Sequence, residues 1–431
     1  MARLARLRER ARETLWLAPV LGLLLALALT VATIEFDDVV EVGSSAVIGF
    51  DGGPDSARSI LATIATSMLT FLALTFTLTV VALQLASDFS PRLLRSFLSS
   101  PVSKLALGLF VATFTYAVLV LREVSPENVP ELSVTVAIVL AIVSVIVFVY
   151  YVSDIAQSLR VASIVERAGE ETRQEINRSL PEDGEPGREE AERDQGWRAI
   201  EGAEPLDVVA WREDPGILTA IDLEGLRTLA SRENVIIELR AQVGDFIPMG
   251  GPMAAIYGRE WDAEDHGLNR RIAVSKERTY RQDAAFGLRQ LVDVAIRALS
   301  PGINDPTTAV QALDQIHDLL LRLGTRRLYP GVLRGEDDEV RVLVPVHSWD
   351  DYVHLGVDEI RIFGEGSLQL NHRLLGMLRD LADRLPEIRR PAVELQLNLL
   401  TESIESGFAN ETDRERARRT TSAVGGSEGG G

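Results

Sequence analysis

Four apolar runs crowd into the first 152 residues, and they constrain this chain more than any other feature: Leu15–Ile34, Ser59–Ala86, Leu105–Leu121 and Leu132–Val152. Each is about 17 residues or longer, which at 1.5 Å rise per residue crosses a hydrocarbon core of about 30 Å. A mean hydropathy of +0.09 over the whole chain agrees with a segment solvated by lipid. Arg3, Arg6, Arg8, Arg10 and Arg12 precede the first run as they would in a cleaved signal peptide. Its length and the three runs behind it predict an uncleaved first span instead.

Loop charge sets the expected orientation, because Lys and Arg near span ends resist translocation. The N-terminal arm is arginine-rich, and the loop after the second run holds Arg92, Arg95 and Lys104 against Asp88. The first loop carries Glu35, Asp37, Asp38, Glu41, Asp51 and Asp55 with only Arg58, and the third sets Arg122 against Glu123, Glu127 and Glu131. The expectation is a multi-pass inner-membrane protein with both termini cytoplasmic. Between spans two and three, Phe89–Leu98 reads as a short interfacial helix with Pro91 in its first turn.

Along the second run Ser59, Thr63, Thr66, Thr70, Ala73, Thr77 and Gln84 recur three and four residues apart, with Val80 filling the last gap, one face of a helix. Two readings stay open. The face lines a water-filled path, its hydroxyls and amide solvating a permeant, or it packs helices, the hydroxyls bonding their own i−4 carbonyls. Gly108 with Ala112, and Ser133 with Ala137 and Ala141, add small-residue pairs of the packing kind. No charged residue sits at the centre of a run, against a proton relay, an ion-coupled pump or a voltage sensor.

The chain divides into a basic arm (1–14), a four-helix transmembrane domain (15–152), a stalk helix continuing the fourth span (153–180), a flexible acidic linker (181–204), a small β-rich subdomain (205–275), a mainly helical subdomain (276–405) and a disordered tail (406–431). The fold class is thus membrane α-helical plus a cytoplasmic α+β domain. Gly216–Ile221, Val235–Ala241 and Pro252–Tyr257 read as strands with a helix at Leu223–Ser231. Val243-Gly-Asp-Phe-Ile-Pro-Met-Gly-Gly-Pro-Met253 has the turn chemistry of a hairpin in a small β-sandwich, similar to biotinyl- and lipoyl-type barrel-sandwich domains. Lys276, the only nearby lysine, lies well past the hairpin, so no attached cofactor is expected. Helical periods follow from Arg281, and a last strand, Val340–Val346, precedes helices at Trp349–Phe363, Leu368–Leu385 and Pro391–Thr401.

At Ser300-Pro-Gly-Ile-Asn-Asp-Pro-Thr-Thr308, Asp305 is a natural N-cap with Pro306 at the first helical position. Either the segment is a helix–turn–helix corner, or Asn304, Asp305, Thr307 and Thr308 form a ligand contact at a helix N-terminus. His347, Asp350, Asp351, His354 and Asp358 are the densest group of metal-ligand types, with His354 and Asp358 on one helical face. A charged solvent-facing helix accounts for them equally, and His347, His354 and Asp358 are at most weak metal candidates.

The absence of cysteine removes thiolate chemistry and sulfur-ligated metals, and a net charge of −19 argues against a nucleic-acid partner. No Gly-x-Ser-x-Gly, P-loop, dinucleotide or His-Glu-x-x-His motif is present, so an enzyme is not expected. The expected partners are the bilayer and further copies of the chain. The leading function is an oligomeric channel or passive transporter with a cytoplasmic gating or assembly domain; the alternative is a membrane-anchored sensor or scaffold whose cytoplasmic domain binds a ligand or protein.

Leu78-Thr-Val-Val-Ala-Leu-Gln-Leu-Ala86, Phe89-Ser-Pro-Arg-Leu-Leu-Arg95, Val243-Gly-Asp-Phe246, Phe286-Gly-Leu-Arg-Gln-Leu-Val-Asp293 and Ala298-Leu-Ser-Pro-Gly-Ile-Asn-Asp-Pro-Thr-Thr-Ala309 together resemble the bacterial membrane protein family called domain of unknown function 2254. The similarity runs from the first span to about Thr401, and Ser-Pro-Gly-Ile-Asn-Asp-Pro is its most specific piece. The resemblance implies an inner-membrane protein and carries over no catalytic residues.

Overall fold

A 36-residue helix beginning at Pro54 and ending at Phe89 carries the hydroxyl stripe, and three further apolar helices stand beside it. A computed structural model describes residues 17–39, 50, 52–126 apart from 90–100, 128–158, 161–182, 184–258 and 267–418. The basic arm, most of the first loop and, apart from Phe89, the Phe89–Leu98 segment expected to lie in the interface fall outside the described residues. The chain forms two units, Met1–Ile164 and Val165–Gly431.

The first unit contains α1 (Leu17–Val39), α2 (Pro54–Phe89), α3 (Pro101–Glu123) and α4 (Glu131–Ser158). Each holds a stretch long and apolar enough to span a membrane, as the four runs predict. α3 is the most enclosed and packs on the other three. Phe110, Tyr116, Ala117 and Val120 point from it into the core with no exposed surface. The close fit of α1 on α3 depends on small residues: a Cβ added to Gly22 would lie 2.2 Å from the Gly108 carbonyl oxygen. Outward-facing Leu24, Leu25, Val31, Phe76, Ile142, Ile146 and Val149 stay exposed in the single chain. So large an apolar surface is unstable in water and at home in lipid.

The second unit interleaves sheet and helices. α5 (Val161–Ser179) leads into it, followed by α6 (Arg188–Trp197), β1 (Asp207–Ala210), β2 (Gly216–Ile221), α7 (Leu223–Glu233), β3 (Ile236–Leu239), β4 (Phe246–Ile247), β5 (Pro252–Tyr257) and β6 (Ile272–Ser275). Then come α8 (Ala284–Ala298), α9 (Pro306–Gly324), β7 (Val332–Arg334), β8 (Val340–Leu343), α10 (Trp349–Phe363), α11 (Leu368–Arg384), α12 (Arg390–Gly407) and α13 (Glu411–Arg418). One sheet has the order β1-β5-β3-β8-β7 and the other β4-β2-β6. Leu218, Ile221, Ile247 and Ile272 from the smaller sheet share one core with Ile237, Leu239, Met253, Ile256 and Val342 from the larger.

Several boundaries differ from expectation. The Val243–Met253 segment is not a hairpin: β4 pairs with β2, Gly216 opposite Ile247, while β5 pairs with β1 and β3. The turn therefore carries the chain from one sheet to the other. The division at residue 275 is crossed as well, because β8 returns from between the helices to pair in parallel with β3, Ile237 opposite Val342. Residues 181–204 are not simply a linker, since α6 lies within them and buries Glu189. α13 stands where a disordered tail was expected, with Ala417 buried; residues from 419 lie outside the described set.

α5 packs against other helices of the second unit. Arg173 Nε donates to Asp318 of α9 at 2.9 Å, and Glu175 accepts from the Gln282 backbone N–H at 2.9 Å. Gln282 in turn bonds both backbone groups of Ile221 in β2, at 2.9 and 3.1 Å. One glutamine thus joins α5, the strand and the start of α8.

Candidate functional site

α2 has a buried face and an exposed one, the exposed one carrying the hydroxyl stripe beside Leu69, Phe76 and Val80. Ala57, Leu61, Ile64, Ala65, Met68, Thr75 and Ala82 are buried in the helix cluster. Ser59, Thr63, Thr66, Thr70, Ala73, Thr77 and Gln84 lie on the exposed side of the unit. Thr63 donates to the Ser59 carbonyl at 2.7 Å, Thr66 to Ala62 at 2.9 Å, Thr70 to Thr66 at 3.1 Å and Thr77 to Ala73 at 2.9 Å. Each hydroxyl proton is satisfied by its own helix, which makes the stripe tolerable in an apolar setting. Each hydroxyl oxygen keeps the capacity to accept a further hydrogen bond at this exposed face.

A second set of hydroxyls lies inside the unit. Thr33 of α1 and Tyr116 of α3 share a hydrogen bond of 2.9 Å, and Tyr116 also donates to the Ser133 carbonyl of α4 at 3.2 Å. Thr113 and Ser144 pair at 3.1 Å. Tyr151 of α4 shares a 2.8 Å bond with Thr79 and donates to the Thr75 carbonyl of α2 at 2.9 Å. Phe71 stacks on Phe148, centroids 4.5 Å apart, and Phe110 tilts against both. On α4 the order Ser144, Phe148, Tyr151 places the rings between the two inner hydroxyl groups. Sequence reasoning missed this set, because a lone Ser or Thr within an apolar run carries no period of its own.

In the second unit, the Ser300–Thr308 segment is a capped corner. Asp305 accepts from the Thr308 backbone N–H at 3.1 Å and from its hydroxyl at 2.5 Å. The Thr308 side chain is the main reason the carboxyl is held below its ordinary value. Asn304 sits in the left-handed region at φ 49°, and its N–H donates to Ser300 O at 2.9 Å. The Asp305 carboxylate thus occupies the α9 N-terminus, where an anion would otherwise approach. Asn304 and Thr307 are exposed beside it.

His354 Nδ1 lies 3.0 Å from Asp358, and Gln396 of α12 bonds Asp358 at 2.8 Å. His347 is elsewhere, 3.3 Å from Gln242 and with its ring against Tyr352; burial lowers its pKa. The fold does not gather the three, and among the described residues no group of three or more His, Asp or Glu side chains could hold a metal.

The Val243–Phe246 and Phe286–Asp293 segments meet through Arg278. Its guanidinium makes two bonds to Asp283, 2.6 and 2.9 Å, and Asp283 caps α8 by accepting from Phe286 N–H at 2.9 Å. A Cβ added at Gly244 would lie 2.6 Å from that guanidinium. Both segments therefore serve one packed junction at the start of α8.

Residues 12–380 match the predicted membrane protein family DUF2254. The chain belongs to this family. It is 31% identical over 381 residues to the uncharacterized protein Mb1321c of Mycobacterium bovis, covering 85% of this chain and 71% of the relative. The uncharacterized protein Rv1290c of Mycobacterium tuberculosis matches at the same identity and coverage. No solved structure matches. The DUF2254 match takes in all four spans and most of the second unit, including the Ser300–Thr308 corner.

Proposed function

We propose that this DUF2254 protein is a homo-oligomeric channel or passive transporter of the inner membrane, its copies arranged around the outward face of α2. The supporting observation is the direction of the Thr63–Thr77 stripe, which turns away from the other three helices of its own chain. Within one copy that face would meet lipid. A ring of copies would instead bring rows of hydroxyl oxygens to a common axis, where they accept hydrogen bonds from water or a small permeant. The lack of a charged residue at mid-span favours passive movement. The loop charges support cytoplasmic termini, with the second unit gating or assembling the ring.

Flux through liposomes holding the purified protein, read beside its oligomeric state, tests this. The expectation is a ring-sized oligomer whose flux falls with Thr70→Leu and Thr77→Leu. Wild-type protein without flux overturns it. A second reading draws on the closure of each hydroxyl onto its own helix, which also suits a face packed against another copy. The protein would then be a membrane-anchored sensor or scaffold, and stable oligomers without flux select that reading.

A further inference from the structure

α5 defines the end of the second unit at which the chain arrives from the membrane. The fourth candidate span ends at Ala156 and α5 begins at Val161, so four residues intervene. Gln157 and Ser158 still belong to α4, so the reach is below the roughly 14 Å of four extended residues. α5 runs parallel to α9: Gly169 lies against Gln315, Arg173 pairs with Asp318, and Arg326 donates to the carbonyls of Ile176 and Leu180. The first turn of α9, and the Ser300–Asp305 turn before it, therefore lie at the end of the second unit where α5 enters it at Val165. α10 runs parallel to α8, since Asp283 lies near Tyr352 at their starts and Arg289 pairs with Glu359 further along. That brings the last turn of α10 to the same end.

The tip of the turn and the last turn of α10 expose large apolar side chains, while α12, bonded to this end through Ser403 and Ser406, brings Glu402 and Glu405 beside them. Ile303 is 43% exposed at the tip of the turn, and Ile362 and Phe363 are 58% and 56% exposed at the end of α10. Pro301, Gly302 and Asn304 are exposed as well, and a Cβ added to Gly302 would meet nothing within 4 Å. The neighbouring carboxylate of Asp305 is engaged by Thr308. Arg297, exposed at the end of α8, supplies a cation beside the turn.

We infer that this end, with Ile303 foremost, seats in the headgroup–acyl boundary of the leaflet adjoining the end of the fourth span. Continuity with the spans selects lipid as the occupant: a surface tethered by four residues meets the bilayer before any partner in solution. Apolar tips with a flanking arginine suit that boundary, the rings and branched chains entering the acyl layer and the guanidinium meeting phosphate.

The chain has no cysteine, so single labels are clean. Full-length Ile303→Cys, Ile362→Cys and Met249→Cys proteins are labelled with an environment-sensitive fluorophore in phosphatidylcholine–phosphatidylglycerol vesicles. Met249 is a fair control: it is 71% exposed, on the loop that follows Gly244 and Asp245 at the start of α8, about 22 Å of helix from the Ser300 turn. The expected result is blue-shifted emission at 303 and 362, quenched severalfold by shallow doxyl lipids, with 249 quenched only by aqueous iodide. Iodide quenching at 303 and 362 equal to that at 249 overturns the inference. So does shielding from iodide without doxyl quenching, which would mean that protein covers this end.

Discussion

Arg389 and Glu189 form an ion pair in which neither side chain is exposed to solvent, joining the start of α12 to a helix 200 residues earlier. The Trp349 indole N–H donates to the Arg389 carbonyl at 2.8 Å, and the Arg389 guanidinium lies 5.6 Å from the indole ring centre. Glu189 also accepts from the Gly187 N–H at 2.9 Å, so the carboxylate is held from two sides. This pair gives the acidic 181–204 segment a fixed place in the second unit.

Removing one partner leaves a buried charge uncompensated, which costs about 3–5 kcal/mol. Glu189→Ala is expected at the lower end of that range, because Glu190 remains 3.1 Å from Arg389. Urea unfolding of the full chain in detergent reads the loss, and limited proteolysis should show new cleavage within α6. Unchanged stability and protection would mean that α6 is held by something other than this pair.

Gly287 of α8 faces Thr172 of α5 so closely that an added Cβ would lie 1.6 Å from the threonine oxygen. Thr172 is fully buried and bonds the Ala168 carbonyl, so it has little room to turn. Gly287→Ala is expected to destabilise by about 1–3 kcal/mol through overpacking. Adding Thr172→Ala should restore part of the loss. A Gly287→Ala protein with a wild-type urea midpoint would show that α5 can move off α8 at no cost.

His317 and His347 both have pKa values below the ordinary 6.5, burial being the first cause in each. Arg373 adds to the lowering at His317, where Asp380 opposes it. The folded chain thus binds fewer protons than the unfolded chain as pH falls from about 6.5 towards the folded values. Stability is full above that range and is lost as pH falls through it. Urea midpoints between pH 7.5 and 5 should decline, and His347→Asn should flatten part of the slope. A midpoint that rises on acidification contradicts the assignment.

Much of the architecture is legible in the residues, and the exceptions have a common cause. Gly216–Ile221, Pro252–Tyr257 and Trp349–Phe363 form the elements their patterns predict, with the same ends. The membership of β8 in the sheet is not legible, because its partner β3 lies about a hundred residues away and nothing local marks the pairing. α6 is polar along its length, and only Arg389, far along the chain, makes a buried place for Glu189. The α2 stripe shows its period plainly in sequence. The direction it faces depends on α3, whose Ala106 and Phe110 belong to the same core cluster as Leu61 and Met68 and draw that side of α2 inward.

Two kinds of membrane hydroxyl should therefore respond differently to removal. Tyr151 bridges α4 to both Thr79 and the Thr75 carbonyl, so Tyr151→Phe deletes an interhelical link. Such links in membrane proteins average about 0.6 kcal/mol and reach about 1.7 kcal/mol. Thr113→Val, which breaks the pair with Ser144, should cost a similar amount. Among the described residues Thr70 bonds only the Thr66 carbonyl of its own helix and is exposed, so Thr70→Leu should leave the unfolding of the first unit nearly unchanged. Unfolding in bicelles by an added denaturing detergent separates the two. If Thr70→Leu destabilised as much as Tyr151→Phe while oligomers persisted, the outward stripe would be a packing surface between copies, and the pore would have to be sought elsewhere.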